Sequence, residues 1–301
     1  MKKIVVTGAT SMLGVATIEE CLVNDIEVVA IVHRNSKNFY RLPKSSKLKI
    51  IEANLDELSA VTPQFNDADT FYHFAWAATT HQGRVNVDVQ ELNIRHTLDA
   101  VRLAQKCGCS KFIFAGSQAE YGLSNTPLNR DTPIKPCTAY GVTKFAAGKL
   151  AEMLCKDLGI IFVWTRIVSV YGVNDGANTL ISYIINSYKN NVQPVLTGGE
   201  QIWDYLYVDD AARASRLLGQ CKTQGVYVTG GGTAHPLKYY IEIIYRLMTP
   251  SVPLIFGGKP YAENQVMFLQ ADISDLRRDT GFEPTTSFED GIKKILASHK
   301  P

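Results

Sequence analysis

The chain has 301 residues, 46% of them apolar, enough to bury one substantial core beside a smaller second lobe. Its 31 basic and 29 acidic residues give a formal charge of +2 with no long single-sign run, which argues against nucleic acid or an anionic membrane as partner. No stretch approaches the roughly eighteen uninterrupted apolar residues of a membrane span. The six cysteines include no Cys-x-x-Cys pair, and a strand begins at once with no signal peptide, so a reducing cytoplasm is the expected location.

In chain order, residues 3–7 read as a buried parallel strand and 12–23 as a helix, joined by the turn Gly8-Ala9-Thr10-Ser11-Met12-Leu13-Gly14. Free N–H groups at the helix start, with the helix dipole behind them, make a site for a diphosphate. Ser11 stands where a third glycine is usual; it is a good helix cap, and its hydroxyl can donate to a phosphate oxygen. Further strands are predicted over 27–32, 48–51, 70–74, 111–115 and 160–165, with helices near 86–107 and 139–158. Such alternation predicts an α/β fold, a Rossmann-type doubly wound parallel sheet. Ligands then gather at the carboxyl ends of the strands, where Gly8, Arg34, Ala75, Ser117 and Arg166 fall. Beyond 165 the pattern loosens into shorter, glycine-punctuated elements. The expected division is a dinucleotide-binding domain over 1–165 and a mainly substrate-binding lobe over 166–301, with a segment near 205–229 returning to the sheet.

The chemistry-bearing residues are Tyr140 and Lys144, four apart on a predicted helix, downstream of Ser117 at a strand end. A phenol with a pKa of about 10 is a poor acid or base near neutrality, and a neighbouring ammonium stabilises its phenolate. Around them, in order, stand Thr-Gly-Ala-Thr-Ser-Met-Leu-Gly at 7–14, Tyr-His-Phe-Ala at 72–75, Asn93 and Ala-Gly-Ser-Gln-Ala-Glu-Tyr-Gly at 115–122. Val-Tyr-Gly at 170–172 and Trp-Asp-Tyr-Leu-Tyr-Val-Asp-Asp at 203–210 complete the series. Over nearly its whole length the chain resembles the extended short-chain dehydrogenase/reductases that act on nucleotide sugars. The resemblance implies Tyr140 as acid/base, Lys144 as the group that lowers its pKa and holds the nicotinamide ribose, and Ser117 as hydrogen-bond donor to the reacting oxygen. It also implies Gly8, Ser11 and Gly14 around the pyrophosphate, with Thr10, Met12, Leu13 and Ala75 alongside, and Asn54 and Leu55 bordering the adenine.

The second strand ends in Val32-His33-Arg34-Asn35-Ser36, with no acid to accept from a ribose 2′-hydroxyl and with Arg34 and His33 available to a 2′-phosphate. NADP(H) is therefore expected over NAD(H), which favours net reduction of an NDP-4-keto-6-deoxyhexose. The alternatives are an NAD-dependent nucleotide-sugar 4-epimerase and a non-catalytic dinucleotide-sensing module. The related 4,6-dehydratases carry an Asp-Glu pair after the serine; here Gln118 and Ala119 stand there, so that elimination lacks its acid and base.

By the same resemblance two diphosphate-binding arginines are missing: Trp203 occupies one position, the stretch 258–265 has none, and Ser169 replaces a common asparagine. Gln201, Asn178, Thr179 and Lys259 are candidate substitutes, Trp203 and Tyr261 candidate stacking faces, and Trp76 and Gln118 candidate pocket walls. His73 is expected to be a buried, hydrogen-bonded structural residue rather than a metal ligand, and no metal site is expected. His81 reads as a lid residue or a solvated one, and Cys137 is not read as a nucleophile. The helices over 85–107 and 139–157 carry apolar residues suited to a four-helix interface, and the resemblance implies a homodimer.

Overall fold

In the computed structural model, residues 1–263 and 265–298 are described. The first half alternates as the periodicity demands: β1 (Lys3–Thr7), α1 (Met12–Val23), β2 (Glu27–Val32), β3 (Leu48–Glu52), β4 (Thr70–His73), α2 (His81–Val85), α3 (Val87–Lys106), β5 (Lys111–Ser117), α4 (Ala139–Asp157) and β6 (Ile161–Ile167). The remainder runs β7 (Ser169–Tyr171), α5 (Leu180–Lys189), β8 (Ile202–Tyr207), α6 (Val208–Gln220), β9 (Gly225–Thr229), β10 (Ala234–Pro236), α7 (Leu237–Met248), β11 (Phe268–Leu269), α8 (Ser274–Thr280) and α9 (Phe288–Ser298). No helix among the described residues is long and apolar enough to cross a membrane.

Seven strands form one parallel sheet in the order β3-β2-β1-β4-β5-β6-β9. The chain order reverses between β1 and β4, the position where a doubly wound sheet opens a crevice at its carboxyl edge. Period-two alternation splits each strand between two cores. Ile4 and Val6 pack with Ile18 of α1 and Leu218 of α6, while Val5, Phe71 and Phe112 pack with Val101 of α3 and Ala151 of α4. Phe71, Phe112 and Phe162 stack across three strands at 5.4 and 6.3 Å, each ring contributing roughly 2–3 kcal/mol by burial.

β5 and β6 each run two residues past their expected ends, to Ser117 and Ile167, because the two strands stay paired to that point. The extension makes Ser117 the last residue of β5. After α6, β9 pairs in parallel with β6 at the edge of the sheet. A smaller sheet gathers β7, β10 and β11 around β8, over a third core that includes Tyr171, Ile184, Tyr207 and Ile241. Asp204 of β8 accepts backbone hydrogen bonds from Gly231, Gly232 and Ala271 at 2.7, 2.9 and 3.0 Å, tying that sheet to two loops.

Candidate active site

Two adjoining cavities lie along the carboxyl edge of the sheet, of about 670 and 540 Å³, sharing Ser11, Phe74, Trp76 and Thr79. Gly8 turns the chain at φ +68°, and a Cβ there would meet the Ala75 nitrogen at 2.7 Å. A Cβ on Gly14 would stand 2.2 Å from the Gly8 carbonyl oxygen, so α1 reaches β1 only with glycine at that place. Ser11 caps α1, its Oγ accepting from the Gly14 N–H at 3.1 Å, and the first turn of α1 carries no carboxylate. These glycines, the cap and the open helix start fit a dinucleotide diphosphate.

The larger cavity is lined by Gly8, Thr10, Ser11, His33, Asn54, Leu55 and Ala75 of the expected cofactor residues. Met12 and Leu13 line the other cavity, and Gly14 serves the packing behind the turn. Thr10 Oγ1 lies 3.1 Å from Ser36 Oγ. Arg34 lines neither cavity: its Nε is 2.9 Å from Glu57 Oε2, and its N–H donates to Asn54 Oδ1 at 3.1 Å.

The smaller cavity holds the catalytic candidates. β5 delivers Ser117, whose Oγ accepts from the Ala119 N–H at 3.2 Å. Thr138 caps α4 by accepting from the Gly141 N–H at 3.1 Å, which fixes the turn bearing Tyr140, with Lys144 one turn on. Lys144 Nζ donates to the Ala115 carbonyl at 2.6 Å and stands 3.7 Å from the Trp76 ring centre, but 5.9 Å from that of Tyr140. Burial pulls the Lys144 pKa down to about 7. Trp76 meets Tyr140 edge to face at 6.1 Å and donates from Nε1 to Gln90 at 2.9 Å.

The phenol departs from the sequence expectation in one respect. Burial pushes the Tyr140 pKa above its ordinary value, Arg84 and the Ser117 hydroxyl pull it back, and Glu120 pushes it further up. Arg84, from the short helix α2, places its guanidinium carbon 4.7 Å from the Tyr140 ring centre. Nothing in the sequence marked that arginine, because a five-residue helix has too little periodicity to predict. Glu120 was equally illegible as a buried group. It accepts from the Ser117 N–H at 2.7 Å, from Trp164 Nε1 at 3.3 Å and from Arg166 Nε at 2.7 Å, and does not line the cavity.

Of the substrate candidates, Trp76, Gln118, Ser169, Thr179 and Trp203 line the catalytic cavity. Trp203 Nε1 donates to Ser169 Oγ at 2.7 Å, so the two replaced positions bond each other. Trp203 also borders a third cavity of about 250 Å³, together with Gln201, Lys259 and Leu180. The Gln201 Oε1 is buried there without a hydrogen-bond partner among the described residues. Asn178 and Tyr261 line none of the three, and the Tyr261 hydroxyl is taken by Glu200 at 3.0 Å. Asp175, which the sequence reading passed over, lines the catalytic cavity, and burial raises its pKa.

His73 is buried, with Nδ1 2.8 Å from Thr7 Oγ1, and burial drops its pKa to about 3, so it is a neutral structural residue. His81 lies outside the three cavities, and Cys137 is exposed and free.

Known proteins agree with this architecture. The chain is 25% identical to the dTDP-4-dehydro-6-deoxyglucose reductase of Escherichia coli over 98% of its own length and 96% of that protein. It is likewise 25% identical to a putative UDP-glucose 4-epimerase of Methanocaldococcus jannaschii, over 97% of each. Among solved structures, the UDP-N-acetylglucosamine 4-epimerase of Methanobrevibacter ruminantium M1 in complex with UDP-N-acetylmuramic acid shares the fold with TM-score 0.87 at 24% identity, over 99% of both chains. The sequence model of the NAD dependent epimerase/dehydratase family matches residues 4–230, three quarters of the chain, and this protein belongs to that family.

Proposed function

We propose that the chain is a cytoplasmic NADP(H)-dependent oxidoreductase of nucleotide sugars that reduces an NDP-4-keto-6-deoxyhexose. The observation that carries this reading is the convergence of Ser117, Tyr140 and Lys144 on a cavity that meets the glycine-lined crevice at Trp76. When bound in that crevice, the nicotinamide supplies the hydride. Tyr140 gives its phenolic proton to the carbonyl oxygen as that oxygen gains charge, and Ser117 donates a hydrogen bond to the same atom. Lys144, held by the Ala115 carbonyl beside Trp76, would hold a hydroxyl of the nicotinamide ribose.

The preference for NADP(H) rests on the absence of an acid at the end of β2. The Arg34–Glu57 pair is exposed and screened by solvent, so a 2′-phosphate can draw the guanidinium away. Dehydration is disfavoured because Gln118 and Ala119 carry no carboxyl group and Glu120 is sealed behind Ser117. A 4-epimerase using the same three residues with NAD is the second reading, supported by the family's description and the epimerase relative.

A panel of 4-keto and 4-hydroxy nucleotide sugars with NADPH or NADH separates these readings. Net NADPH consumption with a reduced sugar product supports the reductase, and interconversion of C4 epimers without net cofactor change supports the epimerase. Turnover that survives Tyr140→Phe would remove both, and dinucleotide binding with no turnover on any sugar would leave a sensing module. A homodimer is proposed through α3 and α4, where Leu92, Val142, Leu150 and Met153 are exposed, and light scattering tests it.

A further inference from the structure

Among the described residues, Arg84 is the one arginine on the wall of the catalytic cavity. Its Nε donates to the Thr79 carbonyl at 2.9 Å, which fixes the side chain within the 79–86 segment. Its two Nη groups have no hydrogen-bond partner among the described residues, and the residue as a whole is exposed at the cavity mouth. The guanidinium carbon lies 4.7 Å from the Tyr140 ring centre, whereas Lys144 Nζ lies 5.9 Å from it and already donates to Ala115.

We infer that Arg84 is a positioning residue for proton transfer, acting through Tyr140: the second cation over the phenol, delivered by α2, which stabilises the phenolate as the proton leaves. The inference rests on the reading of Tyr140 as the acid/base. A cation on the face of an aromatic ring is attracted to its electron density, and a phenolate ring carries a full negative charge where a phenol carries only a quadrupole. The other groups facing the phenol are Ser117 from the end of β5, Glu120 from the turn after it, and Lys144 and Trp76. Burial and Glu120 disfavour the phenolate and Ser117 favours it, and Arg84 adds a positive charge 4.7 Å from the ring centre. Arg84 also lowers the Lys144 pKa, so its charge is felt by both members of the pair.

The test is Arg84→Gln, which can keep the bond to Thr79 and loses the charge, beside Arg84→Lys, which keeps charge. In the oxidising direction the phenolate is the base, so kcat rises with pH through the Tyr140 pKa. Arg84→Gln is expected to move that rising limb up by about one pH unit, a loss of about tenfold on the acid side and none above the limb. Arg84→Lys should restore much of it. Titration of ring-labelled tyrosine by NMR, with the Tyr140 signal assigned by Tyr140→Phe, reads the same shift without any substrate. A limb and an NMR titration both unmoved in Arg84→Gln would overturn the inference, as would a higher KM for the nucleotide sugar with the limb unchanged, which would make Arg84 a substrate anchor only. An NMR shift in a protein that turns over no nucleotide sugar would uphold the Arg84 pairing while removing the proposed reaction.

Discussion

Arg166 Nε stands 2.7 Å from Glu120 Oε2, and both residues are sealed from solvent directly behind Ser117. Glu120 Oε1 accepts the Ser117 N–H, so this ion pair holds the backbone of the residue that presents the serine hydroxyl to the cavity. The Arg166 guanidinium lies 4.8 and 4.6 Å from the Tyr121 and Trp164 ring centres, which completes its surroundings with aromatic faces.

Breaking that pair from one side leaves a buried charge uncompensated, which costs about 3–5 kcal/mol, whereas removing both charges together is far milder. Arg166→Met is therefore expected to lower the free energy of urea unfolding by about that amount, and Glu120→Gln/Arg166→Met, whose amide oxygen can still accept from the Ser117 N–H and Trp164 Nε1, to recover most of it. A double variant no more stable than Arg166→Met would show that the pair is not the source of the loss.

Lys144 makes stability rise with pH in the cofactor-free protein. Its folded pKa of about 7 lies below the ordinary 10.5, so between those values the unfolded chain binds a proton that the folded chain has released. Stability is least below pH 7, where burial of the charged form opposes folding, and grows as pH climbs from 7 toward 10.5. Lys144→Met should remove this slope, giving an apoprotein more stable than the parent near pH 6 and a flat profile above it. Thermal unfolding at a series of pH values checks the sign.

Gly14→Ala tests the phosphate cradle. The added methyl would fall 2.2 Å from the Gly8 carbonyl oxygen, a backbone atom that cannot step aside without moving the turn. The expected outcome is a Kd for dinucleotide raised at least about tenfold, ~1.4 kcal/mol, read by nucleotide fluorescence, together with a lower Tm.

The legible part of the molecule was the part governed by periodicity. Strands β1 and β2 and helix α1 fall where apolar runs and the Gly8–Gly14 turn put them, because local pattern and tertiary burial agree there. Ser117, Tyr140 and Lys144 were legible through spacing and motif. Arg84, Glu120 and Asp175 were not, since their environments come from segments distant in sequence, and neither a short helix nor a buried carboxylate leaves a local signature. Some motif residues hold the fold: Asp204 and Asp210 lie in the Trp-Asp-Tyr-Leu-Tyr-Val-Asp-Asp run, and Asp204 anchors the 230–232 and 271 backbones. Asp210 binds Arg213 at 2.8 Å and the Thr286 N–H at 2.8 Å. Arg34 illustrates the reverse, a plausible phosphate ligand whose side chain folds onto a glutamate 23 residues away that no strand-end pattern reveals.

Trp203 remains the substrate-lobe residue with the sharpest alternatives, packing or stacking. It partitions the catalytic cavity from the 250 Å³ cavity beside it, and its indole N–H is bound to Ser169 at 2.7 Å. A residue that only packs would, on truncation, lower stability and leave KM alone. A residue that stacks on the nucleotide sugar would raise KM with kcat little changed, since a stacking contact is present equally in ground and transition states. Trp203→Phe keeps an aromatic face and loses the bond to Ser169, while Trp203→Ala loses both and joins the two cavities. The expected result is a KM raised about tenfold in Trp203→Ala, ~1.4 kcal/mol, and nearly unchanged in Trp203→Phe, consistent with the value of one aromatic stacking contact. Equal KM values in both variants, with a lower Tm in Trp203→Ala, would assign the indole to packing and leave Gln201 and Lys259 as the polar contacts of that wall.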